Sequence, residues 1–203
     1  PYRVYGGLRF FERAEVKHAL AYLRLLENPN DDTAFLRVVN FPTRGIGARS
    51  LEQLSEAAAR SGASLWQAAC TSGGKVAGFA RLIEEIKQAT ADLPLPEAID
   101  HVIEASGLAD YYRADKEGAD RLENLNELVN AAALFSDESE KGTLDAFLAH
   151  AALEAGEHQA GVGHDALQLM TVHAAKGLEF HTVFISGLEE GLFPHENAMA
   201  DHD

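Results

Sequence analysis

The sequence predicts a mainly α chain, in which a helical domain is carried between two incomplete α/β pieces with a few short strands. Apolar residues recur at helical spacing through most of residues 12–151. The ends read differently. Tyr2–Tyr5 alternates before Gly6-Gly7, and LQLMTV (167–172) and TVFISGL (182–188) are continuous apolar runs of the kind found in buried strands. Between the two regimes lies GEHQAGVGHD (156–165), glycine-rich and loop-like. With 46% apolar residues in 203, the chain can bury a real core. No apolar run approaches the roughly 18 residues needed to cross a bilayer. A single cysteine, Cys70, excludes an internal disulfide and fits a reducing cytoplasm; its setting, LWQAAC, reads as a buried apolar thiol. Pro1-Tyr2 enters directly into strand and the last residues are polar, so a fragment is expected.

Taken in order, residues 12–27 form a helix with Val16, Leu20, Leu23 and Leu26 on one side, broken by Asn28-Pro29-Asn30. Asp31 or Asp32 caps the next, through Phe35, Val38 and Val39, which stops at Phe41-Pro42. A turn follows, then a helix from 51 to about 60 along Leu51, Leu54 and Ala58, closed by Gly62. Further stripes are Phe79, Leu82, Ile83 and Ile86, then Ile99, Val102 and Ile103, with Pro96 in the first turn and Gly107 past the end. Leu122, Leu125, Val129 and Ala132 make another, and Leu144, Phe147, Leu148 and Ala151 the last. Residues 72–78 and 136–142 are small and polar, as loops are.

The turn at FPTRGIGARSLEQL (41–54) carries chemistry. Gly45 and Gly47 have no Cβ, so a foreign backbone can come close, and the free amides of a helix start between two arginines suit phosphate oxygens. Ser50 with Gln53 fits a capping box. A tight turn between packed helices, with both arginines in water, is the alternative. Charge favours the first fifty residues as the place for any nucleic-acid contact. They hold 8 Lys/Arg against 5 Asp/Glu, a net of +3, while residues 51–203 hold 9 against 27, a net of −18.

The second site-like stretch is QLMTVHAAKGLEFHTVFISGLEEGLFPH (168–195). A buried strand delivers Thr171 and His173 to its carboxyl end, where open α/β sheets place ligands, and Lys176-Gly177 and Glu179 follow. Hydroxyl, imidazole, cation and carboxylate together suit a phosphate or sugar-phosphate. Solvated side chains at a strand end would look the same.

That string resembles motif V of the UvrD/PcrA/Rep group of superfamily 1 DNA helicases. PYRVYGGLRFFERAEVKHALAYLRLLENPNDD resembles the segment before that group's inserted domain, and FPTRGIGARS its duplex-binding element. The resemblance implies that residues 1–27 and 164–203 are parts of the RecA-like domain 2A, and that residues 28–163 are the helical domain 2B. It implies that Thr171 and His173 face single-stranded DNA, and that Lys176, Gly177 and Glu179 lie on the nucleotide side. It assigns duplex contact to Thr43, Arg44, Gly45, Ile46, Gly47 and Arg49. His18 and His181 receive no role.

The parent is then expected to be an ATP-dependent 3′-to-5′ DNA helicase of nucleotide excision and mismatch repair, using ATP and Mg2+, cytoplasmic and associated with a bacterial nucleoid. No GxxxxGK[ST] loop occurs, and Gly73-Gly74-Lys75 is followed by valine, so no catalytic residue and no bound cofactor are expected of this chain alone. Two other classes remain: a self-sufficient duplex-binding module, and a docking domain whose acidic helices meet repair or transcription proteins. No membrane partner is expected.

Overall fold

The computed structural model describes residues 2–5, 10–116, 118–138, 142–156, 167–170, 175 and 177–188. The chain is mainly helical and divides into two compact units, Leu8–Gly163 and Pro1–Gly7 with His164–Asp203.

The helical unit follows a short 3-10 turn, Phe10–Glu12, and comprises among its described residues α1 (Ala14–Glu27), α2 (Asp32–Val38), α3 (Ala48–Ser61), α4 (Leu65–Thr71), α5 (Gly74–Thr90), α6 (Leu95–Ala105), α7 (Leu108–Arg113), α8 (Ala119–Glu138) and α9 (Leu144–Gly156). Helix α1 is its axle, because it is apolar around most of its circumference and must be covered on most sides. Val16, Ala19, Leu20, Ala21, Tyr22, Leu23, Leu25 and Leu26 are all buried, and α2, α5, α6, α8 and α9 pack against the helix. The structural division therefore falls after Gly7 rather than after residue 27. Among the described residues the one buried acid, Glu15, accepts a hydrogen bond from Asn124 Nδ2 at 2.7 Å, and Asn124 in turn accepts from Arg13. A buried carboxylate persists only with such partners.

The stripes read from the sequence are the core. Phe35, Phe79, Ile83, Ile86, Ile99, Val102, Leu125, Ala132, Phe147 and Ala151 are buried in one cluster. Asp31 caps α2 by accepting from Ala34 N at 2.9 Å, and Asp32 accepts from Leu65 N at 2.9 Å, tying α2 to the start of α4. Gly62 closes α3 in the left-handed conformation, φ +64°.

Four expectations are corrected. Ser50 does not cap α3: that helix starts at Ala48 behind Gly47, so Ser50 lies inside its first turn. The capping box belongs to Ser64 and Gln67 at α4, where both reciprocal bonds form. The loop expected over 72–78 is shorter, because α5 begins at Gly74. Cys70 is exposed, since α4 buries Leu65, Ala68 and Ala69 and the thiol falls off that face.

In the other unit, β1 (Tyr2–Tyr5) and β2 (Leu167–Met170) pair in parallel, with Tyr2 opposite Leu167 and Tyr5 opposite Met170. Parallel pairing of strands more than 160 residues apart in sequence needs a long crossover, which the helical unit supplies. The fourth correction lies here. Residues 182–188 form no strand, and Val183, Phe184, Ile185 and Leu188 are exposed. Among the described residues no helix is long and apolar enough to cross a membrane.

Candidate nucleic-acid interface

The turn from α2 to α3 is built on Asn40. Its Oδ1 accepts from the backbone amides of Arg44 at 2.9 Å and Ile46 at 3.0 Å, so the chain is wound around one side-chain oxygen. Tyr22, on the axle helix, donates to Phe41 O at 2.5 Å. Burial holds this hydroxyl protonated, with its pKa raised to about 12. Ile46 plugs the core with 2% of its surface exposed.

Arg44 points the same way. Its Nη1 donates to Val38 O at 3.2 Å and Pro42 O at 3.0 Å, and its Nη2 to Ser106 O at 2.8 Å. The guanidinium carbon lies 5.7 Å from the Tyr22 ring centre and 5.3 Å from that of Phe79. Only a planar, forked cation can reach carbonyls on α2, on the turn and at the end of α6 while resting on aromatic faces. The side chains of Arg44 and Ile46, both expected at the duplex, are thus engaged within the protein. Both face inward and hold the turn's shape.

The remaining positions face out. Thr43, Gly45, Gly47 and Arg49 are exposed. Gly45 has φ +69°, in the region where side chains are strained. Gly47 is extended and caps α3, and its carbonyl accepts from Ser50 N at 3.0 Å and Leu51 N at 3.2 Å. The amides of Ala48 and Arg49 are left at the open helix end, where partial positive charge accumulates. Arg49 makes no hydrogen bond or ion pair among the described residues. The arrangement offers an anion bare backbone amides, one guanidinium and no side-chain obstruction at two glycines.

Sequence reasoning missed Asn40, Tyr22 and Lys75. The Lys75 side chain lies across Gly45, and a β-carbon added there would run into its ammonium group. The signal was present in Gly73-Gly74-Lys75, read only as a loop.

At the strand pair, Thr171, His173 and Lys176 lie outside the described residues. Gly177 sits in a turn at φ +84°, closed by Leu178 N donating to Ala175 O at 2.9 Å. Glu179 follows, exposed. A carboxylate beside a permissive backbone can accept ribose hydroxyls. As an anion it repels phosphate oxygens rather than cradling them.

The chain belongs to the UvrD-like helicase C-terminal domain family, which it matches over residues 1–203. It is 50% identical over 214 aligned residues to DNA helicase II of Escherichia coli (strain K12), covering 98% of this chain and 30% of that protein. ATP-dependent DNA helicase PcrA of Bacillus subtilis (strain 168) is 39% identical over 218 residues, covering 98% and 29%. ATP-dependent DNA helicase UvrD1 of Mycobacterium tuberculosis (strain ATCC 25618 / H37Rv) is 38% identical over 232, again 98% and 29%. The chain thus spans about 30% of the length of the curated relatives it matches.

Proposed function

We propose that this chain is one part of a longer ATP-dependent 3′-to-5′ DNA helicase acting in nucleotide excision and mismatch repair in the bacterial cytoplasm. In this reading the helical unit is domain 2B, and the strand pair belongs to the RecA-like domain 2A. ATP with Mg2+ drives the motor elsewhere in the protein, Gly177 and Glu179 face the ribose side of the nucleotide, and Thr171 and His173 track the single strand. The outward turn grips the duplex backbone ahead of the motor.

The observation that carries the proposal is the division of labour around Gly45–Gly47. Arg44, Asn40 and Ile46 fix the turn from inside, while Thr43, Gly45, Gly47 and Arg49 are left exposed at the open end of α3. A mere connector would not need an exposed, unpaired arginine beside two bare glycines. Duplex binding by the intact helicase, compared with Arg49→Ala, tests it. Weakened duplex binding with unchanged single-strand-stimulated ATPase supports the reading, and equal losses in both assays would make the turn a hinge.

A second reading concerns protein partners. Glu97, Asp100 and Glu104 share a shallow groove with Leu93 and Val129 between α6 and α8, a face suited to a basic, partly apolar segment of a repair or transcription protein. Binding of a partner that survives Arg49→Ala but fails when these acids are neutralised would support it.

A further inference from the structure

We propose that Lys75, from the first turn of α5, is a second cation of the duplex-facing turn and takes a phosphate oxygen of the strand passing Gly45. The inference rests on the reading of that turn as a duplex contact and adds a residue that neither the motif nor the turn's own sequence contains.

Its geometry comes first. The Lys75 stem crosses the face of Gly45, with Cε 3.5 Å and Cδ 3.6 Å from the point a β-carbon would occupy. Gly45 therefore does two things: it adopts φ +69°, and it leaves room for a lysine from another helix. The ammonium consequently ends at the turn, beside the backbone that leads to the open end of α3.

Charge comes second. Lys75 is exposed and makes no hydrogen bond or ion pair among the described residues, in a chain with 32 acidic and 17 basic side chains. It also stands in the first turn of a 17-residue helix. A cation there is opposed by the helix macrodipole, typically by about 0.3–1 kcal/mol. The position thus does nothing for α5, and a bound phosphate would reverse that sign by giving the ammonium and the helix start a shared counter-charge. Lysine suits the task, being a compact point charge with three rotatable donors on a long stem. Arg49 from α3 and Lys75 from α5 would then hold the backbone from two helices, fixing the path of the duplex as well as its affinity.

The test uses the intact helicase and a hairpin duplex carrying a 3′ single-stranded tail, with binding followed by fluorescence anisotropy across a salt series. Lys75→Gln is compared with Lys87→Gln, which removes the same charge from an exposed site in the last turn of the same helix. Lys75→Gln should weaken duplex binding about threefold to tenfold and lower the slope of log K against log salt by about 0.9, the loss of one phosphate contact. Lys87→Gln should change neither, and both variants should keep single-strand-stimulated ATPase. Equal behaviour of the two variants, whether both weaken or neither does, would overturn the role of Lys75. Arg49→Ala measured in parallel separates the two levels. If it weakens duplex binding while Lys75→Gln does not, only this inference falls, and if neither does, the reading of the turn falls with it.

Discussion

Arg44→Ala separates a guanidinium that builds the turn from one that touches DNA. The substitution removes three donated hydrogen bonds, to Val38 O, Pro42 O and Ser106 O, and two aromatic contacts, to Tyr22 and Phe79. A charged donor to a carbonyl is worth about 1.5–3 kcal/mol when its loss leaves the acceptor dry. The site is half-buried and water can enter, so about 1 kcal/mol per bond is the better figure, with about 0.5–1 kcal/mol more for the ring faces. The sum, about 3–4 kcal/mol, is a large share of a typical domain stability of about 5–15 kcal/mol. At about 2–4 °C per kcal/mol for a chain of this size, the melting temperature should fall by roughly 6–16 °C. Thermal unfolding followed by circular dichroism checks this. Arg44→Lys should recover little, because an ammonium cannot span carbonyls on α2 and α6 at once. A melting temperature within about 2 °C of the parent, together with collapsed duplex binding, would refute the reasoning and return Arg44 to the DNA.

Arg49→Ala should do the opposite: leave the melting temperature unchanged, because the side chain is exposed and unpaired, and weaken duplex binding with a salt slope shallower by about 0.9. Ser64→Ala should cost about 1 kcal/mol of stability in chemical denaturation, since it removes the hydroxyl that accepts from Gln67 N and donates to Asn30 Oδ1 while leaving the backbone amide of residue 64 to Gln67, whereas Ser50→Ala should cost far less. His18 should make stability pH-dependent. Its ring stacks on Phe41 with centroids 3.8 Å apart, its Nδ1 lies 3.3 Å from the Tyr112 hydroxyl, and its pKa is lowered from 6.5 to about 4, mainly by burial and then by Arg37. The folded state thus binds this proton less readily than the unfolded one. Its contribution is intact above the unfolded value and is lost as pH falls from 6.5 toward about 4. After discounting for the part-exposed ring, the loss should be on the order of 1 kcal/mol, and His18→Phe should flatten that portion of a urea-midpoint profile against pH.

Much of the helical unit could be read from residue spacing, because burial repeats with the helix period: α1 and α6 bury the residues their stripes name, while Leu82 of α5 and Leu122 and Val129 of α8 are only partly buried against the core. Asp31 and Gly62 were legible for a local reason, since a cap bonds within a turn of itself. Ser50-Leu51-Glu52-Gln53 and Ser64-Leu65-Trp66-Gln67 share one capping pattern, and only the second forms. The first fails because the chain is already helical from Ala48, a boundary that Gly47 sets rather than Ser50. The direction of Arg44 was not legible either. Whether a turn residue faces in or out was decided by Ser106, 62 residues later, and by rings on α1 and α5. Lys75 was hidden for the same reason, since its proximity to Gly45 exists only after α3 and α4 have packed α5 behind the turn. The run TVFISGL shows the converse limit, because apolar content makes a strand only where backbone partners are in place.

Hydrogen–deuterium exchange of residues 43–51 in the intact helicase tests the central claim most directly, because it reads the backbone amides themselves. Saturating duplex with a single-stranded tail should slow exchange in peptides spanning Gly45 to Arg49, and single-stranded DNA alone should not. Unchanged exchange there with duplex fully bound would show that the turn does not hold the double helix.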